Sequence, residues 1–146
     1  MEPEQYSRIL SSLGGHWQPL TQRQRWRALD EWRKVYAAPL HRATGEWKLP
    51  QFEWHVFSYK HSPALKGARA LAAYGAEKSA SIYVVPEDEA YESGLSTGGC
   101  LPDFTGLYAD VYIWPPSLKW TMAFTHEEES GCGPFFSRRS SLAGLS

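Results

Sequence analysis

The chain predicts a single α+β domain in which helices pack on one face of a mainly antiparallel β-sheet. Three observations lead there. Residues 110–126 alternate like a β-hairpin. Residues 21–36 place apolar side chains at helical spacing behind a capping signal. Helical and strand-like runs then follow one another with no linker, repeat or low-complexity block. At 146 residues, with 42% hydrophobic and 21% charged side chains, the chain has the composition of an ordinary globular protein with one core. The domain is expected to span residues 1–139, with residues 140–146 a flexible tail.

Glu4 to Leu13 reads as a short helix stopped by Gly14-Gly15. Thr21 followed by Gln24 forms a capping box that opens a stronger helix. Ala28, Leu29, Trp32, Val35 and Tyr36 are its apolar stripe, and Pro39 is expected to end it, leaving residues 40–50 as a loop. Phe52 to Tyr59 reads as a strand, with helix left open for so short a run. Ser62 and Pro63 suggest an N-cap and first-turn proline for a helix to Gly75, burying Leu65, Ala68, Leu71 and Ala72. Ser81 to Val85 is a strand stopped by Pro86, and residues 86–106 mix a short helix with a loop. Gly133 to Ser137 adds an edge strand.

In the hairpin, Leu107–Trp114 pairs with Lys119–His126 around Pro115-Pro116, which cannot donate ladder hydrogen bonds. Trp120, Met122, Phe124 and His126 share one face, while Lys119, Thr121, Ala123, Thr125 and Glu127 share the other. Setting Trp114 opposite Lys119 puts Ile113 across from Trp120 and Val111 across from Met122. The large apolar residues then lie together, and a one-residue slip would expose them.

Charge is unevenly distributed. Residues 1–85 carry twelve Lys/Arg against seven Asp/Glu, and residues 86–146 carry three against nine. The acidic side chains cluster at Glu87, Asp88, Glu89 and Glu92, and again at Glu127, Glu128 and Glu129. Such loops suit the basic surface of a protein partner and oppose nucleic acid. Seven Trp, eight Tyr and six Phe supply either a dense core or an aromatic contact surface; Tyr112 and Trp114 are the candidates for the latter. The second helix carries Arg23, Arg25, Arg27, Arg33 and Lys34, but Asp30 and Glu31 interrupt it, which argues against phosphate binding. No run approaches the ~20 apolar residues of a membrane span. MEPEQYSRIL lacks the features of a signal peptide, and the two cysteines fit reduced thiols in a cytoplasm.

Catalytic chemistry finds few candidates. His126 and Glu127 would converge only if the strand ended there, since strand neighbours face opposite ways. His126 therefore reads as a core-edge histidine bonded to backbone or a tyrosine. An approach of His55, His126 and Glu128 would make a proton-transfer or metal cluster, although no spacing demands it. Cys132 beside three glutamates lacks the positive surroundings of a reactive thiolate. Cys100 and Cys132 have no CxxC spacing, and Ser96–Gly99 lacks the Lys-Ser/Thr of a phosphate loop, so it reads as a flexible loop. No cofactor or metal is expected.

Trp54–Tyr59 has the pattern W-H-x-F-S-Y, followed by D-x-Y at Asp110–Tyr112 and W-T at Trp120–Thr121. T-H-E at Thr125–Glu127 and C-G-P-F-F at Cys132–Phe136 complete the series. Together, over roughly residues 25–138, these resemble the uncharacterised bacterial domain-of-unknown-function family DUF4275. The chain departs from that pattern at Pro115-Pro116 and in an extended insert around Gly94–Pro102. The resemblance implies a small bacterial cytoplasmic protein and brings no established activity. With the small size and acidic loops, the expectation is a non-enzymatic binding protein, an immunity protein or antitoxin that blocks a cognate toxin's active site. The alternative is a small metal-dependent or His/Glu hydrolase.

Overall fold

A computed structural model describes residues 1–142 and places the hairpin in the middle of a seven-stranded sheet. In chain order come α1 (Pro3–Ser12), β1 (His16–Pro19), α2 (Gln22–Tyr36), α3 (Ala38–Thr44), α4 (His55–Ser58), β2 (Leu65–Lys66) and α5 (Ala68–Gly75). Then follow β3 (Ser81–Pro86), β4 (Gly94–Thr97), β5 (Val111–Trp114), β6 (Trp120–Phe124), β7 (Phe135–Arg138) and α6 (Arg139–Leu142). The strands run in the order β1-β4-β3-β5-β6-β7-β2, every neighbouring pair antiparallel. This is an α+β fold.

The helices cover both faces of the sheet, rather than one. Tyr112, Trp114, Ala123 and Phe135 point into a core with Leu29, Trp32 and Tyr36 of α2, Leu40 of α3 and Phe57 of α4. Val84, Val111, Ile113, Met122, Phe124 and Phe136 point the other way, against Tyr6 of α1 and Ala70 and Tyr74 of α5. VYIW and WTMAF are buried at every position, so a one-sided arrangement would leave half of each strand in water. Thr121, on the face expected to be the more polar, is fully buried. Its hydroxyl accepts the Trp32 indole N–H at 2.9 Å and donates to the Ile113 carbonyl at 3.1 Å.

The hairpin register is displaced by two residues from the expected one. Ile113 pairs with Met122 and Val111 with Phe124. A two-residue shift preserves every side chain's face, so the apolar grouping stands. The loop is longer because Leu118 takes φ 60° and donates its amide to the Pro115 carbonyl at 2.8 Å.

Elsewhere the capping box forms: Thr21 Oγ1 accepts the Gln24 amide, and Gln24 Oε1 accepts the Thr21 amide. Six elements differ from expectation. Pro39 lies in the first turn of α3, where its missing N–H costs nothing, so a helix replaces the expected loop. Residues 52–59 turn into the single helical turn α4, because the dense run Trp54–Phe57 is buried by curling under α2. Ser62-Pro63 does not start a helix; β2 intervenes, and α5 begins after Gly67, burying Ala70 and Tyr74 while Ala68 and Ala72 stay exposed. Gly94–Thr97, expected as loop, is β4, clamped between β1 and β3. Strand β7 is interior to the sheet, since β2 pairs outside it. Residues 140–142, assigned to a flexible tail, end helix α6, with Leu142 buried in the α2–α4 core. Residues 143–146 of that tail lie outside the described residues.

Candidate functional site

Three strand ends meet at one end of the sheet: the C-termini of β3 and β6 and the N-terminus of β5. Asp110 immediately precedes β5, and its carbonyl accepts the Glu87 amide at 2.8 Å, tying the 86–92 loop to the 103–110 segment. Strand β6 stops at Phe124. The Thr125 hydroxyl then donates to the Cys132 carbonyl, and the chain turns.

That turn carries His126 away from the Met122–Phe124 face. Its ring instead lies 4.9 Å from Phe52 and 6.1 Å from Trp54, centroid to centroid. Asp110, not backbone or a tyrosine, is its partner. One Asp110 oxygen accepts the Trp54 indole N–H at 2.8 Å, the His126 amide at 3.1 Å and His126 Nδ1 at 2.9 Å. A carboxylate acceptor puts the proton on Nδ1 and leaves Nε2 as the outward nitrogen, 3.5 Å from Glu127 Oε1. Because the strand has ended, His126 and Glu127 do converge.

His55 reaches the same patch from α4. Its Nδ1 is 3.1 Å from Ser58 Oγ, and its ring lies 4.4 Å from Trp54 and 4.7 Å from the nearly parallel Tyr59. Burial pushes the His55 pKa down, against the pull of Glu127 and then Asp110. Phe52 touches both histidines, at 5.6 Å from His55 and 4.9 Å from His126. Glu128 does not join them: its Oε2 accepts the Gly106 amide at 3.2 Å, and burial raises its carboxyl pKa. Among the described residues no three His, Cys, Asp or Glu side chains are placed to hold a metal ion. Cys100 is exposed and Cys132 half-buried, both free.

The acidic residues come together at this end but are not equally available. Glu87 Oε1 accepts the Glu53 amide at 2.8 Å and the Tyr112 hydroxyl at 3.0 Å, with Lys48 Nζ 3.8 Å from the other oxygen. Desolvation raises the Glu87 pKa above its ordinary 4.5 despite those partners. Glu89 pairs with Arg25 at 3.0 Å, and Glu92 accepts the Trp17 indole N–H at 2.6 Å. Glu129 accepts the Tyr108 hydroxyl, and Asp88 caps the Ala90 amide at 2.9 Å. Asp88, Glu89, Glu92 and Glu129 are exposed and Glu127 is half-exposed. Tyr112 and Trp114 do not belong to any contact surface: each is 1% exposed, because both point from β5 into the core under α2.

Part of the charge asymmetry is satisfied internally. Arg25 binds Glu89 and the carbonyls of Pro86 and Glu87, and Lys48 lies 3.8 Å from Glu87; within the basic half, Arg33 is bonded to buried Glu53. Sequence reasoning passed over Asp110 as a site residue, along with Phe52, Glu53 and Tyr59. Asp110 stood in a family motif, yet its role depends on residues 54 and 126, which no local spacing connects.

The arrangement offers a rigidly held imidazole, a neighbouring carboxylate and an aromatic shelf ending in exposed Tyr59. It is able to exchange protons at Nε2 and to attract cationic groups at Glu127. No helix among the described residues is long and apolar enough to cross a membrane. No curated protein and no solved structure matches this chain. The family model described as a domain of unknown function, DUF4275, matches residues 28–136, which contain every residue of the shelf and of the Asp110–His126 pair, and the chain belongs to that family.

Proposed function

We propose that this chain is a non-enzymatic bacterial binding protein that presents the acidic end of its sheet to a basic surface of a cognate protein. Its most concrete form is a cytoplasmic immunity protein or antitoxin that covers a toxin's active site. One observation carries the reading. Carboxylates from two loops some forty residues apart are fastened to the same segment: Glu87 by its amide to the Asp110 carbonyl, Glu128 to the Gly106 amide and Glu129 to the Tyr108 hydroxyl. Loops fixed in this way need little ordering when they bind, and complementary charge speeds the encounter.

Co-expression with the neighbouring gene product, followed by purification and surface plasmon resonance, tests it. A stoichiometric complex should form and associate more slowly as salt rises. Reversing Asp88, Glu127 and Glu129 to lysine together should slow association by about tenfold or more. A complex insensitive to these reversals would remove the acidic end from the account.

A hydrolase reading has one specific observation in its favour, the Asp110 carboxylate that orients His126 with Nε2 outward. Turnover of simple esters or phosphoesters that disappears in His126→Asn would favour it over binding.

A further inference from the structure

The acidic half of the chain, residues 86–146, has three Lys/Arg, and all three, Lys119, Arg138 and Arg139, line one depression. Lys78, between α5 and β3, is the fourth cation around it. This depression, of about 680 Å³, lies where β6 begins and β7 ends, at the far end of β6 from His126 and Glu127. It wraps the rim of the sheet, so neighbouring strand residues of both faces border it. Trp120 lies opposite Arg138 in the β6–β7 ladder. One step further, that register sets Lys119 across from Arg139, and the Arg139 amide donates to the Lys119 carbonyl at 2.9 Å.

Like charges placed across a ladder repel each other. Nothing in the lining offsets them. Among the described residues Lys78, Lys119 and Arg139 form no ion pair, and Glu77, the carboxylate in the lining, is taken by Arg138 at 3.3 Å. Four cations and one carboxylate leave three positive charges unmatched in a space of ligand size. Ser79, Ser117 and Ser140 border the same space, and among the described residues their hydroxyls have no hydrogen-bond partner. The lining is therefore rich in donors and calls for an occupant rich in acceptors and in negative charge. A single carboxylate would match one of the three charges. Linked phosphates carry several charges close together, each with oxygens that accept a guanidinium fork, an ammonium or a hydroxyl.

We infer that this depression binds the polyphosphate group of a small anion, with Lys119 and Arg139 bridged by its oxygens and Lys78 and the serine hydroxyls closing around it. The site is separate from the acidic end and stands whether or not that end meets a protein partner.

The test uses the full chain, labelled with nitrogen-15, titrated without divalent metal with tripolyphosphate, with ATP and with an end-blocked tetraglutamate peptide. Sodium chloride at matched ionic strength is the control. Tripolyphosphate should give saturable shifts at residues 77–79, 117–120 and 138–140 and none at residues 126–129. The double variant Lys119→Gln/Arg139→Gln should weaken binding at least ~10-fold. Lys78→Gln, an exposed change outside the strands, should weaken it ~3-fold. Unchanged shifts elsewhere in the spectrum show that each variant keeps its fold. Tighter binding of ATP than of tripolyphosphate would make a nucleotide the source of the group, and equal binding a free polyphosphate; either upholds the site. Shifts reproduced by chloride, tetraglutamate binding as tightly as tripolyphosphate, or affinity unchanged in both variants would overturn the inference.

Discussion

Asp110→Ala is the most informative single perturbation of this structure. The Asp110 carboxylate accepts three hydrogen bonds from two residues far away in sequence, the Trp54 indole N–H, the His126 amide and His126 Nδ1. Trp54 is fully buried, so its indole donor would have no water to turn to, a loss of about 1–3 kcal/mol. His126 is about one-third exposed, and its two donors would be partly resolvated, adding about 1 kcal/mol. The expected destabilisation is therefore about 2–4 kcal/mol, a large part of a small domain's stability. Asp110→Asn keeps an oxygen for Trp54 and the amide but turns a donor toward Nδ1, and should lose about half as much. Urea unfolding followed by tryptophan fluorescence and by circular dichroism measures both. An alanine variant within ~0.5 kcal/mol of the parent would show that Asp110 does not hold this corner together.

Two further predictions concern buried polar groups. Glu87 has a carboxyl whose pKa burial raises in the folded chain, so its contribution is most favourable when protonated and is lost as pH rises through the folded value. Glu87→Gln keeps the Oε1 acceptor for the Glu53 amide and the Tyr112 hydroxyl. Its stability relative to the parent should accordingly increase between about pH 4 and about pH 7, measured by urea unfolding; a relative decrease would mean that Lys48 outweighs desolvation. Thr121→Val removes the acceptor for the Trp32 indole at the centre of the first core and should cost about 1–3 kcal/mol, whereas Thr121→Ser should cost less than half of that. A valine loss no larger than the serine loss, read by guanidinium melts, would show that the Trp32 hydrogen bond does not dominate, since valine gives up only the hydroxyl and serine only the methyl.

Legibility in the sequence followed the range of the interactions. The start and buried stripe of helix α2 were readable because their signals are local, a capping box four residues long and a stripe of period 3.6, but its end was not, since α2 closes at Tyr36 and Pro39 opens α3. The hairpin's faces were readable because alternation fixes parity, but parity is blind to a two-residue shift, and the left-handed Leu118 that sets the loop has no sequence signature. Alternation also concealed the second covered face. Thr121 and Ala123 look like a solvent side until Trp32 of α2 is known to lie against them. Residues 52–59 failed for a related reason: in a run this apolar, strand and helix bury the same side chains, and only tertiary packing decides. The His126 partner was the hardest part. Asp110 acquires its role from a strand end sixteen residues later and a tryptophan fifty-six residues earlier.

The same corner explains why carboxylates should be gathered where each repels the next. A surface cluster made only for solubility would leave its side chains free. Here Glu87, Glu89, Glu92, Glu128 and Glu129 each accept a hydrogen bond from a donor elsewhere in the fold. Their mutual repulsion is offset by those donors, and their positions are set before any partner arrives. Preorganised charge of this kind gains affinity by sparing the entropy of ordering long side chains at the interface. It also limits which partner fits, because fixed carboxylates cannot swing to meet misplaced cations. Among the described residues, Glu127 stands apart as the carboxylate held only by its 3.5 Å contact with a histidine that is itself clamped. It is the member of the group with most to gain from a new cationic partner. Replacing it alone should weaken a complex more than replacing Glu89, whose charge already belongs to Arg25.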